Sequence, residues 1–138
     1  MMNIPRIDIS PLFNQSRPNW HDVIHKLDDA CKNTGFFYIT GHGIDSQLVA
    51  KVFELAYQFF NQDIVTKNKN IRSNNKYNLG YSPIGAENLA MDGMASDFKE
   101  SFDISPDLSK NALALYPDIN GFKSVIMNYY NQMFKVSM

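Results

Sequence analysis

His21-Asp22-Val23-Ile24-His25 sets two imidazoles four residues apart with a carboxylate between them, and that spacing puts both rings on one face of a helix. The pattern imitates the H-E-x-x-H signature of zinc hydrolases, in which two histidines hold the metal and the acid takes a proton from its bound water. Asp22 is shorter than the usual Glu and reaches less far toward such a water. A third ligand is missing, because the remaining one of the three histidines, His42, sits in a glycine turn. His21 and His25 also fall opposite Val23 and Leu27, so a solvated polar face is the preferred reading and zinc hydrolysis the alternative.

Gly41-His42-Gly43-x-x-Ser46 follows an aromatic and β-branched run and precedes a helical pattern. Strand, glycine turn and helix in that order make the first half of a dinucleotide fingerprint. Such a unit needs a second parallel strand ending in an acid about 20 residues on. Phe60-Asn61-Gln62-Asp63, at that distance, is the tail of a helix instead. A structural turn built on positive φ is therefore expected. Cys31 continues the apolar stripe of its helix and reads as a buried, unreactive thiol. Neither a G-x-S-x-G elbow nor a P-loop occurs.

The elements that must position these residues follow from periodicity. Trp20, Val23, Ile24, Leu27, Ala30 and Cys31 recur at helical spacing, with Asn33-Thr34-Gly35 as the stop. A second helix starts from an Asp45 cap, with Leu48, Val49, Val52, Phe53, Ala56, Phe59 and Phe60 as its apolar face. Asp63 caps a short third helix through Lys69, and a last helix carries Phe122, Val125, Ile126, Tyr129, Tyr130, Met133 and Phe134 on one side. Strands are expected at residues 7–9, 36–40, 79–84 and 98–104. The second reads as a central strand covered on both faces, and the third as an edge because of Pro83. In the fourth, Phe98, Glu100, Phe102 and Ile104 alternate with Lys99, Ser101 and Asp103. Residues 14–19, 68–78, 85–96 and 105–121 read as loops.

Composition bounds the rest. The 138 residues are 44% hydrophobic and 13% aromatic, enough for one domain with a real core. A net charge of −1 gives no footprint for nucleic acid or an anionic membrane. No apolar run approaches about 18 residues and no signal pattern opens the chain. A single cysteine suits a reducing compartment, so a cytoplasmic protein is expected.

Six short motifs, in order, carry a resemblance. Ile4-Pro5-x-Ile7-Asp8-Ile9-Ser10, Gly35-Phe36-Phe37, Gly41-His42-Gly43-Ile44, Gly80-Tyr81, Lys99-Glu100-x-Phe102-Asp103, and Tyr116-Pro117-Asp118 with Gly121-Phe122 resemble the N-terminal region of isopenicillin N synthase-like non-haem Fe(II)/2-oxoglutarate-dependent dioxygenases. The resemblance implies an α/β fold over residues 1–138: the helix-flanked strand region of a double-stranded β-helix (jelly-roll) oxygenase, truncated before the metal-binding barrel. It implies a parental activity that hydroxylates, desaturates or cyclises a small molecule with O2, Fe(II) and 2-oxoglutarate.

In that family iron is held by a His-x-Asp pair and a later His, a facial triad. Here the residues two places after His21, His25 and His42 are Val23, Leu27 and Ile44. The Arg-x-Ser pair that many relatives place on 2-oxoglutarate is absent after Arg6, Arg17 and Arg72. No catalytic, cofactor or metal residue is assigned, and this fragment is expected to be inactive and to bind neither iron nor 2-oxoglutarate. By carry-over, Tyr81 and Asn78 are the candidate substrate contacts, with Asn78 standing where relatives carry an Arg. The expected partner is the missing barrel, or a second copy through the last helix. A truncated gene product or a stand-alone interaction module is the alternative.

Overall fold

Pro5 precedes β1 (Arg6–Asp8), where a two-residue period buries Ile7 between exposed neighbours. The computed structural model describes residues 4–13, 19–72, 79–86, 98–105 and 116–138, and the chain divides into two units, Met1–Asp45 and Ser46–Met138.

In the first unit β1 pairs in parallel with β2 (Tyr38–Thr40), Ile7 opposite Ile39. A single 3-10 turn, Ser10–Phe13, follows β1, and α1 (Trp20–Asn33) packs on both. Val23 and Ala30 are buried and Trp20 and Leu27 half-buried, a narrow stripe at spacings of three and four. Ile24 and Cys31 lie one row over, so Cys31 is exposed, not buried as its place in the apolar pattern suggested. The helix stops as expected: the N–H groups of Thr34 and Gly35 both donate to the Ala30 carbonyl, at 3.0 and 2.9 Å. β2 is shorter than expected and is not a covered central strand. Among the described residues β1 is its only strand neighbour, and Phe36 and Tyr38 are exposed. Its apolar run reflects an outward-facing surface as much as a core.

In the second unit α2 (Ser46–Phe60) and α4 (Phe122–Ser137) pack together over a small sheet. Between them in sequence lie α3 (Ile64–Asn68), β3 (Gly80–Ser82) and β4 (Ser101–Asp103). β3 and β4 are antiparallel, with Gly80 opposite Asp103 and Tyr81 opposite Phe102. On its other side β3 makes a parallel bridge, Ile71 to Tyr81. Leu55, Phe59, Tyr81, Phe122 and Ile126 form the buried core, and each such side chain contributes roughly 1.5–3 kcal/mol. Phe59 is its centre. Its ring lies 4.9 Å from Phe102 and 5.6 Å from Tyr81, both edge-on, and 6.3 Å from Phe122, the arrangement that ring quadrupoles favour.

The expected apolar faces hold in part. On α2, Phe53 is 71% exposed, because it lies about 200° around the helix from Leu55. On α4, Phe122 and Ile126 are buried, whereas Met133 and Phe134 are exposed to 38% and 50%. β4 is shorter than the alternating pattern, and Phe98 at the head of that pattern is 94% exposed. The loops expected at 14–18, 73–78, 87–96 and 106–115 lie outside the described residues.

Candidate functional site

The residues of the later motifs meet in the second unit. Glu100 immediately precedes β4 in the same phase as Phe102, so its carboxylate points toward the Tyr81 side of the sheet. Its Oε2 accepts from the Tyr81 hydroxyl at 2.6 Å and from Lys67 Nζ at 2.7 Å. Lys67 Nζ also donates to the Phe60 carbonyl at 3.1 Å and lies 5.4 Å from the centre of the Tyr81 ring. α3 delivers Lys67 to this place. Asp63 caps that helix, its carboxylate accepting from the Thr66 N–H at 2.9 Å and from Oγ1 at 2.7 Å.

The charges are fixed by these bonds. Burial works against ionising Glu100, but the bonds from Lys67 and Tyr81 outweigh it and hold its carboxyl below the ordinary value. The bond to Glu100 raises Lys67 against the effect of burial, and burial, then Glu100, raises the Tyr81 phenol. All three groups move away from neutrality, whereas a general acid or base works best with a pKa near the working pH. The cluster is a cation–carboxylate–phenol network that holds charge in place.

Gly80-Tyr81 has a local reason in this geometry. Gly80 has φ +111, and a Cβ there would run into the Asn70 carbonyl, which accepts from the Tyr81 N–H at 2.8 Å. Tyr81, the substrate contact implied by resemblance, has its ring in the core and its hydroxyl on Glu100. Asn78 lies outside the described residues. Lys67 went unrecognised because it belongs to a Lys- and Asn-rich stretch. One signal pointed to it: an acid in phase with Phe102 and Ile104 needs a buried cation.

The histidines do not converge. His21 and His25 are exposed on α1, with the His21 ring centre 3.5 Å from that of Trp20 and tilted 33° to it, and His42 Nδ1 accepts the Ile44 N–H at 3.1 Å. Among the described residues no three His, Cys, Asp or Glu side chains gather closely enough to hold a metal. These residues do not fit the iron of the resembling enzymes, and no chemical step is assigned to iron here. The dinucleotide pattern also lacks its second half, since α2 runs through to Phe60. A shallow cavity of about 410 Å³ lies at the start of α4, lined by Pro117, Ile119, Phe122, Lys123 and Met127 among others. None of the network residues lines it. No helix among the described residues is long and apolar enough to cross a membrane.

Residues 4–123 match the family described as non-haem dioxygenase in morphine synthesis N-terminal. The chain belongs to this family. Among similar proteins, a 2-oxoglutarate-Fe(II) type oxidoreductase of Aspergillus fumigatus is 28% identical over 96% of the chain, which covers 44% of that protein. A 1-aminocyclopropane-1-carboxylate oxidase of Dictyostelium mucoroides is 29% identical over 97% of the chain and 39% of its own length. The fold is shared with a full-length Neurospora crassa protein solved in complex with alpha-KG and thymine. That likeness has a TM-score of 0.75 at 23% identity and covers 97% of this chain and 45% of the Neurospora one. The chain thus spans less than half the length of each of these proteins.

Proposed function

We propose that these 138 residues are the N-terminal scaffold of an Fe(II)-dependent oxidoreductase that uses O2 and 2-oxoglutarate to hydroxylate, desaturate or cyclise a small molecule in the cytoplasm. The family match over residues 4–123 carries this reading. The named relatives include a 2-oxoglutarate-Fe(II) type oxidoreductase and a 1-aminocyclopropane-1-carboxylate oxidase, which supports the reaction class and leaves the substrate open. In this reading the iron ligands and the 2-oxoglutarate site belong to a jelly-roll barrel outside these residues. The stretch from Asn78 to Tyr81 borders the substrate, with Tyr81 anchoring it from beneath. O2 uptake and 2-oxoglutarate decarboxylation in the presence of Fe(II) test the proposal. Turnover is expected when the chain is joined to a family barrel carrying His-x-Asp and a later His, and none from the 138 residues alone. Metal-dependent turnover that tracks the purified chain by itself overturns it.

A second reading, an interaction module that pairs with its own copy, is favoured by one observation. The last turns of α4 expose Met133 and Phe134, and the Phe134 ring is stacked 6.5 Å from that of Tyr130.

A further inference from the structure

β3 is three residues long, too short for its ladder alone to set a register firmly, since a slip by one residue exchanges its two faces. It lies between the segment ending in Asn70-Ile71-Arg72 and β4. Two ion pairs join those outer neighbours: Lys67 to Glu100 at 2.7 Å and Arg72 to Asp103 at 2.7 Å. Two strand spacings separate the outer partners, on the order of 9–10 Å, so a long cationic side chain is needed on one side.

The pairs cross on opposite faces. Glu100 shares the phase of Phe102, which faces Tyr81 across the ladder, and Lys67 Nζ stands over the Tyr81 ring. Asp103 alternates with Phe102 along β4 and so lies on the other face, opposite Gly80 in the ladder. The Arg72 Cα lies 3.8 Å from where a Gly80 Cβ would be. A Cβ at Gly80 would fall on the Asn70 carbonyl, so glycine there lets the Asn70–Arg72 segment close on β3 and brings Arg72 within reach of Asp103.

We infer that the two pairs form an ionic clamp, one jaw on each face of the sheet, that fixes the register of β3. Tyr81 fills one face beneath Lys67–Glu100, and Gly80 lets the segment that carries Arg72 close on β3, so that Arg72–Asp103 spans the other. A slip by one residue would set the Tyr81 ring in the path of Arg72 and take its hydroxyl from Glu100. The clamp stands on contacts within the second unit and does not rest on the oxygenase reading.

Amide exchange of the full 138-residue chain tests it, with the Tyr81 N–H as the local reporter and the Ile126 N–H as the global one. Lys67→Met and Glu100→Gln, separately, are expected to speed Tyr81 exchange about 10–100-fold more than Ile126 exchange, because each leaves a buried or half-buried partner without its counter-charge. The double variant is expected to be no faster than the worse single variant. Arg72→Gln and Asp103→Asn, at the more exposed pair, are expected to show the same coupling at about 3–10-fold, and they cover the case in which the buried variants do not fold. Additive effects at both pairs, or Tyr81 and Ile126 exchange rising together in every variant, overturn the clamp.

Discussion

Gly41 and Gly43 flank His42 with almost the same backbone, φ +69 and +73, yet they should respond differently to a methyl group. At Gly43 an added Cβ meets nothing within 4 Å, so Gly43→Ala carries only the cost of a left-handed L-residue, about 1–2 kcal/mol. At Gly41 the same atom would fall on Asp8 Oδ1 and within 2.9 Å of the Ser10 Cβ. That carboxylate oxygen accepts the Ser10 N–H at 2.9 Å, a bond to an ionised group that the side chain must surrender to move. The exposed setting of Asp8 keeps that loss near 1 kcal/mol, on the order of an ordinary hydrogen bond, and the crowding at Ser10 adds to it. Gly41→Ala is expected to cost about 2–4 kcal/mol in all. Urea unfolding followed by the fluorescence of Trp20, the only tryptophan, reads the unit that contains the turn. A difference of about 1–2 kcal/mol separates the two midpoints by roughly 0.5–1 M. A Gly43 variant as damaging as the Gly41 variant refutes the reasoning. So does a Gly43→Val form that melts like the parent but loses a nucleotide the parent bound, since the turn would then be a phosphate cradle.

The other predictions concern the second unit. Phe59→Ala removes the ring that Tyr81, Phe102 and Phe122 surround and is expected to cost about 3–5 kcal/mol, read by near-ultraviolet dichroism during denaturant unfolding. Glu100 is held below its ordinary value, so its stabilisation is present above that value and is lost as pH falls through the lower folded one. Lys67 and Tyr81 are raised, and theirs is present below about 10 and is lost as pH climbs past the folded values. Thermal melts from acid to alkali should show both limbs, and Glu100→Gln should flatten the acid one. The purified chain is expected to self-associate through Met133 and Phe134; sedimentation should show the larger species dissolving with Phe134→Asp, and a monomeric parent at high concentration contradicts it.

Helices were the most readable part of this chain. The stripe through Val23, Leu27 and Ala30, the place of Phe59 on the apolar face of α2, and the Asp63 cap all follow from spacing that survives folding, whereas Leu55, buried on α2, stood outside the expected face. Width was harder to judge. Cys31 and Phe53 each lie away from the buried stripe, and hydropathy cannot tell a flanking row from a central one. Strand ends were overrun for a similar reason: Phe98 keeps the alternation of β4 but stands in solvent. The network was least readable. Glu100 announced a need for a cation, but the partner is supplied from a stretch of lysines whose surroundings look alike, and three-dimensional proximity picks out Lys67. Tyr81 shows the opposite case, a motif residue whose type was informative and whose buried position was not.

Phe59 has a consequence for the order in which the chain can mature during synthesis. The strand pair of the first unit is complete once Thr40 has been made. Phe59, by contrast, waits for partners on β4 and α4, the last of them Phe122. At about 5–20 residues per second, the ribosome needs roughly 3–13 s to pass from one to the other. Through that interval α2 carries Leu55 and Phe59 without the ring that completes their cover, a nascent-chain state suited to chaperone holding. The helix that closes this core is also the last of the described elements to be translated, so the second unit matures late and all at once.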